Sequence, residues 1–414
     1  MPKNILKSVS LASLGPGILM AAAAIGASHL VAATRAGAEF GWQLVWLVIA
    51  VNIVKYPFFA AGARYTAATN NSLLQGYLNQ GRGYLLLFTG LNTIAAIAST
   101  AGVCMLTAAL LTQFIPLTID ILALIVLLSC LLLLILGHYR WLDNITKVIM
   151  LILTISTLVA VSLALSQQWG APTVTTNADA WQWANIGFLV AMMGWMPAPI
   201  EVSCWNSVWL LEKQKTQTIS AKQAVFDFNL GYLTTAILAV VFLALGALVM
   251  YGSGEQFSQS GALFASQLID LYSNVMGEKS RYLIALVALL CIFSTTVTVI
   301  DGYSRTLDMA WRLLNAKQDN LASSHLTLIM LTISSLGLGL ILFFKGALLP
   351  LLEFVMILAF MTTVIFAWLN LTLMTSKHIP QHHRYGFKMQ LLSWVGLCYL
   401  VGFALLFLVW YLTK

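Results

Sequence analysis

Two stretches of the 414-residue chain interrupt apolar surroundings with residues that could bind a small ion. The first runs from Gly15-Pro16-Gly17 to Gly26-Ala27-Ser28-His29. The second reads Met192-Met193-Gly194-Trp195-Met196-Pro197-Ala198-Pro199, then Ile200 and Glu201. A buried His29 in the first and two closely spaced prolines in the second sit mid-membrane, and proline removes a helix hydrogen bond and clashes with the preceding turn, so both stretches predict broken helices. A break exposes backbone carbonyls on one side, and on the other the N–H groups and partial positive charge of a new helix start. Gly26, Ala27, Ser28, His29, Met196, Pro197 and Ala198 are therefore the expected substrate-binding residues. Divalent cations need anionic or strongly dipolar ligands, and neither break carries a carboxylate, Glu201 lying just past the second. Met196 and His29 could accept a soft ion, but an unneutralised double charge in low dielectric is costly. Helix-start N–H groups, with His29 as a further donor, suit a small anion such as bicarbonate or a short carboxylate.

Each of these residues also has a plainer reading. His29 could cap or pack at the break, and Met196 could fill the core. Ser28 and Ala198 are small enough to let a ligand reach the backbone. Arg35 could attract an anion along the substrate path, or pair with Glu39 at i+4 or with Glu201. Glu201 could carry a coupling proton or serve as that partner. An anion entering against a negative-inside potential needs a driving ion. Ser294, Thr295 and Thr298 offer hydroxyl oxygens suited to sodium as a coupling ion, with no cofactor expected; the same residues could equally serve as helix-packing glue. Asp301, Arg305 and Asp308, at i, i+4 and i+7, predict an intrahelical charge pair. Asp227 and Glu353 are isolated acids in apolar spans.

These residues lie in a chain that is 60% hydrophobic and 8% charged, with a mean hydropathy of +0.88. Soluble domains carry roughly 25% charged residues, so the solvent is lipid. Eleven apolar spans lie near 11–40, 42–66, 84–114, 117–137, 143–166, 180–211, 223–251, 281–304, 325–344, 347–375 and 388–412. Continuous apolar runs exclude an outer-membrane barrel, whose strands alternate. The expected fold class is an all-α integral membrane protein. Lys and Arg alternate between loops. Arg64, Arg82, Arg140, Lys213, Lys215, Lys222, Arg312, Lys317, Lys377, Arg384 and Lys388 fall on one side, and Lys279, Arg281, Lys345 and Lys414 on the other. This predicts a cytoplasmic N-terminus in the inner (plasma) membrane. It also accounts for the net charge of +7 without nucleic acid. Met1 to Ser8, with Lys3 and Lys7, leads into the first helix and does not resemble a removed signal peptide.

The breaks fall in spans one and six. In an eleven-helix chain that pattern predicts an inverted five-plus-five repeat whose breaks meet at the substrate site. Residues 1–414 then form a single transporter domain: repeat one about 11–166, repeat two about 180–375, and an extra helix about 388–412. His378, His382 and His383 have no acidic or Cys partner and read as a solvated loop. Cys104, Cys130, Cys204, Cys291 and Cys398 read as small buried hydrophobes. No phosphate-binding loop and no catalytic constellation is present, so no enzyme is expected. The longest hydrophilic loop, about 252–280, leaves no room for the output domain of a receptor. The expected partners are the bilayer and a small inorganic ion, with no obligate protein partner.

The segment from Gly15-Pro16-Gly17 to Ala36-Gly37-Ala38-Glu39-Phe40-Gly41 resembles the first helix of the Nramp divalent-metal transporters. That family has GPG, twelve residues ending in DPGN, and then AGAxFG, and the spacing here matches without a gap. Met196-Pro197 resembles the family's MPH motif. The resemblance implies a leucine-transporter-type 5+5 fold with broken helices 1 and 6. It also marks the departures. Gly26, Ala27, Ser28 and His29 stand at the DPGN positions, whose Asp and Asn ligate metal in the family. Ala198 stands at the His of MPH, Ser203 at a second His, and Thr100 and Val103 at an acidic pair of the proton route. Met196 alone remains of the family's metal ligands. The chain thus resembles a divergent prokaryotic-type branch lacking DPGN, such as Nramp-related bicarbonate transporters. A divalent manganese or iron transporter with altered ligands is the alternative.

Overall fold

The computed structural model describes residues 15–137, 139–166, 179–315, 322–377, 379–381 and 384–414. His378, His382 and His383 lie outside these residues, as do Lys3 and Lys7. The described residues are helical almost throughout and contain no named strand, only an isolated bridge between Ser260 and Ala347. Helices are the open-chain solution in hydrocarbon, because each pairs its own backbone groups.

Span one is split into α1 (Pro16–Ala24), a π-helical turn (Ser28–Ala33) and α2 (Thr34–Phe40), with a bend of 41° between its halves. Then come α3 (Val45–Thr69), the short α4 (Leu73–Gln80), α5 (Arg82–Leu111), α6 (Ile119–Ile135) and α7 (Tyr139–Ser166). Span six is split into α8 (Ile186–Trp195) and α9 (Val202–Gln214). The chain continues through α10 (Ala221–Val249), α11 (Gly261–Met276), α12 (Arg281–Leu314), α13 (Ala322–Phe344), α14 (Leu348–Thr375) and α15 (Phe387–Thr413). Eight of these helices are long and apolar enough to cross a bilayer, and the bent pair of span one makes a ninth. The other two expected spans are α6, apolar but 17 residues long, and the interrupted sixth.

Span one is held against α10 by close backbone approach. A Cβ on Gly17 would stand 2.2 Å from the Asp227 carbonyl oxygen, and one on Gly231 2.2 Å from that of Gly17. Several turns further on, Gly37 meets the Leu243 carbonyl and Gly246 the Thr34 carbonyl in the same way. Small residues at helix crossings are the usual means of dense packing in lipid, where no hydrophobic force draws helices together. Asp227 fastens the end of α1. Its Oδ1 accepts from Gly15 N at 3.1 Å and its Oδ2 from Gly17 N at 2.7 Å. These are N–H groups that a helix start leaves unpaired, and a carboxylate also suits the positive end of the helix. Asp227→Asn keeps the size but removes the charge. The expected result is a loss of roughly 1–3 kcal/mol, read as a lower thermal midpoint in detergent.

Several expectations change here. Asp227 and Glu353 are not isolated: Asp227 caps α1, and Glu353 accepts from Arg35. Asp301 does pair with Arg305, at 2.7 Å, but Asp308 pairs with Arg312 at 2.8 Å, so the charges form two separate i,i+4 pairs. Cys398 is exposed on α15, which buries one face only, whereas Cys104, Cys130, Cys204 and Cys291 are buried. The hydrophilic stretch 252–280 contains α11. This helix buries Phe264, Leu268, Leu271, Tyr272 and Val275, and its half-buried Ser266 and Asp270 bond to Arg281.

Candidate substrate site at the meeting of two broken helices

The break in span one places Gly26 against α12. A Cβ there would lie 2.1 Å from Thr295 Oγ1, so only glycine fits without movement of one helix. Ser28 bonds to the Ala24 carbonyl of its own span and, at 3.1 Å, to the Pro197 carbonyl of span six. This joins the two breaks directly. His29 turns the other way. Its Nε2 lies 2.8 Å from the Thr235 carbonyl on α10, a bond in which the ring nitrogen donates. Its Nδ1 lies 2.8 Å from Ser28 Oγ and 3.0 Å from the Ala24 carbonyl, and Phe242 packs edge-on against the ring.

In span six, residues 196–201 are not helical, and Glu201 stands at the N-cap of α9. The Met196–Pro197 peptide is cis. Lys55 of α3 is fully buried and donates to the carbonyls of Met193 at 2.6 Å, Gly194 at 3.2 Å and Ala198 at 3.3 Å. Glu201 is also buried. Its Oε1 accepts from Tyr303 OH at 2.9 Å, and its Oε2 has no hydrogen-bond partner in the protein.

A cavity of about 40 Å3 lies where the breaks meet. Ala27 and Ser28 line it from span one, Trp195, Ala198 and Pro199 from span six, Ser99 and Val103 from α5, and Thr295 and Tyr303 from α12. Trp205 of α9 lines it too, and its indole N–H has no acceptor among the described residues. Ser99 Oγ and Tyr303 OH are 3.1 Å apart. Ser28 and Thr295 donate to backbone carbonyls and Tyr303 to Glu201, so the indole N–H of Trp205 is the donor left over for a ligand. No carboxylate lines the space. Among the described residues no three His, Cys, Asp or Glu side chains gather as a metal site.

The expected site residues thus divide. Ala27, Ser28 and Ala198 line the cavity, Gly26 shapes it through Thr295, and Pro197 bonds Ser28. His29 and Met196 are fully buried and are not in the lining. Ser294, Thr295 and Thr298 donate to carbonyls of the preceding turn, at 2.8 Å, 3.1 Å and 2.8 Å, which leaves their oxygen lone pairs as acceptors. Arg35 lies in a second cavity of about 460 Å3, at the end of span one away from Gly15. There it binds Glu39, and Glu353 of α14 at 2.6 Å; it does not pair with Glu201. The sequence reasoning passed over Lys55, Ser99, Trp205 and Tyr303. Lys55 did carry a signal, since an ionisable residue inside an apolar span is a functional flag by itself.

The chain is 45% identical over 402 residues, 96% of its length and 92% of the relative's, to PM0681, an uncharacterised protein of Pasteurella multocida (strain Pm70). Its fold matches crystal structures of the Eremococcus coleocola manganese transporter, one a mutant and one in complex with an aromatic bis-isothiourea substituted compound. For both, the TM-score is 0.71 at 15% identity, covering 99% of this chain and 87% of that one. The family described as natural resistance-associated macrophage protein-like (Nramp) matches residues 17–410. The chain belongs to the Nramp family and is a multi-pass membrane transporter, not an enzyme.

Proposed function

We propose that this protein is an ion-coupled secondary transporter of a small anion, with bicarbonate the best fit. The observation that carries the reading is the lining of the central cavity: the indole N–H of Trp205 is left to donate, the other polar side chains are the neutral hydroxyls of Ser28, Ser99, Thr295 and Tyr303, and no carboxylate joins them. An oxyanion needs donors in a dry site; a divalent cation needs the anionic oxygens this cavity lacks. The cavity volume suits a dehydrated ion of a few heavy atoms. The second reading, a divalent manganese or iron transporter with altered ligands, is favoured by one observation, the fold shared with a manganese transporter.

Sodium is the proposed driving ion, with protons the other choice. Ser294, Thr295 and Thr298 present hydroxyl oxygens on α12, and Thr295 abuts the backbone of span one at Gly26. The proposed setting is the inner (plasma) membrane with the N-terminus cytoplasmic, supported by the uneven Lys and Arg loops. The whole chain then acts as one transport domain with no obligate protein partner.

Proteoliposomes holding the purified protein are expected to accumulate labelled bicarbonate under an inward sodium gradient, above empty liposomes. Thr298→Ala is expected to raise the sodium concentration for half-maximal uptake about tenfold, the effect of losing one ligand worth about 1–1.5 kcal/mol. Manganese uptake in place of bicarbonate uptake would decide for the second reading.

A further inference from the structure

Lys55 sits in the middle of the apolar helix α3 with no exposed surface, so it cannot extend its charge to water. Its ammonium has three N–H donors and no acceptor. Three backbone oxygens meet it, those of Met193, Gly194 and Ala198. The first two belong to the last turn of α8, where carbonyls lack helical partners and carry the negative end of the helix dipole. The third belongs to the unwound linker. Carbonyl rings of this kind replace the hydration shell of a small cation. Here the cation is on a tether. Ala198 also lines the substrate cavity, so the charge stands one residue behind the cavity wall. The acid within electrostatic reach of Lys55 is Glu201, one oxygen of which is engaged by Tyr303.

We propose that the break in span six is a monovalent-cation site filled by the Lys55 ammonium. This tethered group takes the place of a diffusible ion, holds the linker in its cavity-forming shape, and supplies positive charge for an anion in the cavity. Its role toward the anion rests on the anion reading above; the cation site itself does not.

Lys55→Ala empties the site. The thermal midpoint of the purified variant is expected to fall, and ammonium chloride or methylammonium chloride to restore at least half of the loss. Tetramethylammonium, which has the charge but no N–H donors, is expected to restore none. Lys55→Met, whose side chain fills the space, is expected not to respond to any of them. Equal effects of ammonium and tetramethylammonium, or a Lys55→Ala protein that stays unfolded even in ammonium, would overturn the cation site. In proteoliposomes, Lys55→Ala is expected to raise the KM for bicarbonate at least tenfold, with ammonium lowering it again. An unchanged KM in a variant whose midpoint ammonium restores would overturn the role toward the anion and leave the site standing. Wild-type protein that takes up no bicarbonate would instead refute the anion reading, and the midpoint measurements would still decide the cation site.

Discussion

Gly26→Ala is expected to abolish transport and to lower the thermal midpoint, and Thr295→Ala in the same chain to restore part of that midpoint. A methyl group on Gly26 would stand 2.1 Å from Thr295 Oγ1, 2.9 Å from its Cβ and 3.0 Å from its Cγ2. The threonine cannot swing aside as a long side chain would, and its hydroxyl is held by the Cys291 carbonyl. Span one or α12 must therefore shift. Overpacking of a dense interior costs about 1–3 kcal/mol. The effect on transport is larger, because Ala27, Ser28 and Thr295 all line the cavity and move with their helices. Thr295→Ala removes the two γ atoms and leaves only the Cβ contact, so the two substitutions should be coupled by about 1 kcal/mol or more in a double-mutant cycle. The recovery is read on the midpoint because Thr295 is itself a proposed sodium ligand. Additive effects would refute this packing account. Gly26→Asp, which returns the family's acid to its place, is expected on its own to give no manganese uptake, since its carboxylate would have to displace Thr295.

The parts of this molecule that depend on local pattern were legible in the sequence. Continuous apolar runs fix the spans, because a helix must cross about 30 Å of hydrocarbon. Met196-Pro197-Ala198-Pro199 locates the break in span six, because proline acts on its own stretch of backbone, whereas Pro16 starts α1 and the break in span one follows Ala24. Contacts between distant residues were not legible. Nothing in the vicinity of Tyr303 tells of Glu201, 102 residues away. The direction taken by His29 depends on the Thr235 carbonyl of another helix, so its ring faces away from the cavity although its neighbour Ser28 lines it. Glu353 looked isolated because its partner Arg35 is 318 residues away. Lys55 is a different case: its position in an apolar span was visible, but not the carbonyl ring that binds it. That ring exists only because span six unwinds beside α3.

Arg35→Met is expected to reduce transport and stability far more than Glu353→Gln, although both break the same ion pair. Arg35 bonds Glu39 one turn along its own helix and Glu353 on α14, and its guanidinium lies 4.9 Å from the centre of the Phe188 ring. It is the least exposed of the three charged side chains, at 10% against 27% for Glu39 and 40% for Glu353. Removing it leaves two carboxylates lining the 460 Å3 cavity with no cation between them. Breaking a buried pair in this way costs roughly 3–5 kcal/mol, and the partial exposure here points to the lower end. Glu353→Gln leaves the Arg35–Glu39 pair intact and removes only the link from span one to span ten, a loss of about 1 kcal/mol or less. Its effect should appear in access to the site. With Ala198→Cys as a reporter and Cys398→Ser to silence the exposed native thiol, a membrane-impermeant maleimide should label the Glu353→Gln protein faster than its parent. Added salt should speed labelling of the parent, by screening the partly exposed pair, and leave the variant unchanged. Equal losses in Arg35→Met and Glu353→Gln would mean that repulsion between the two acids is not what Arg35 holds in check.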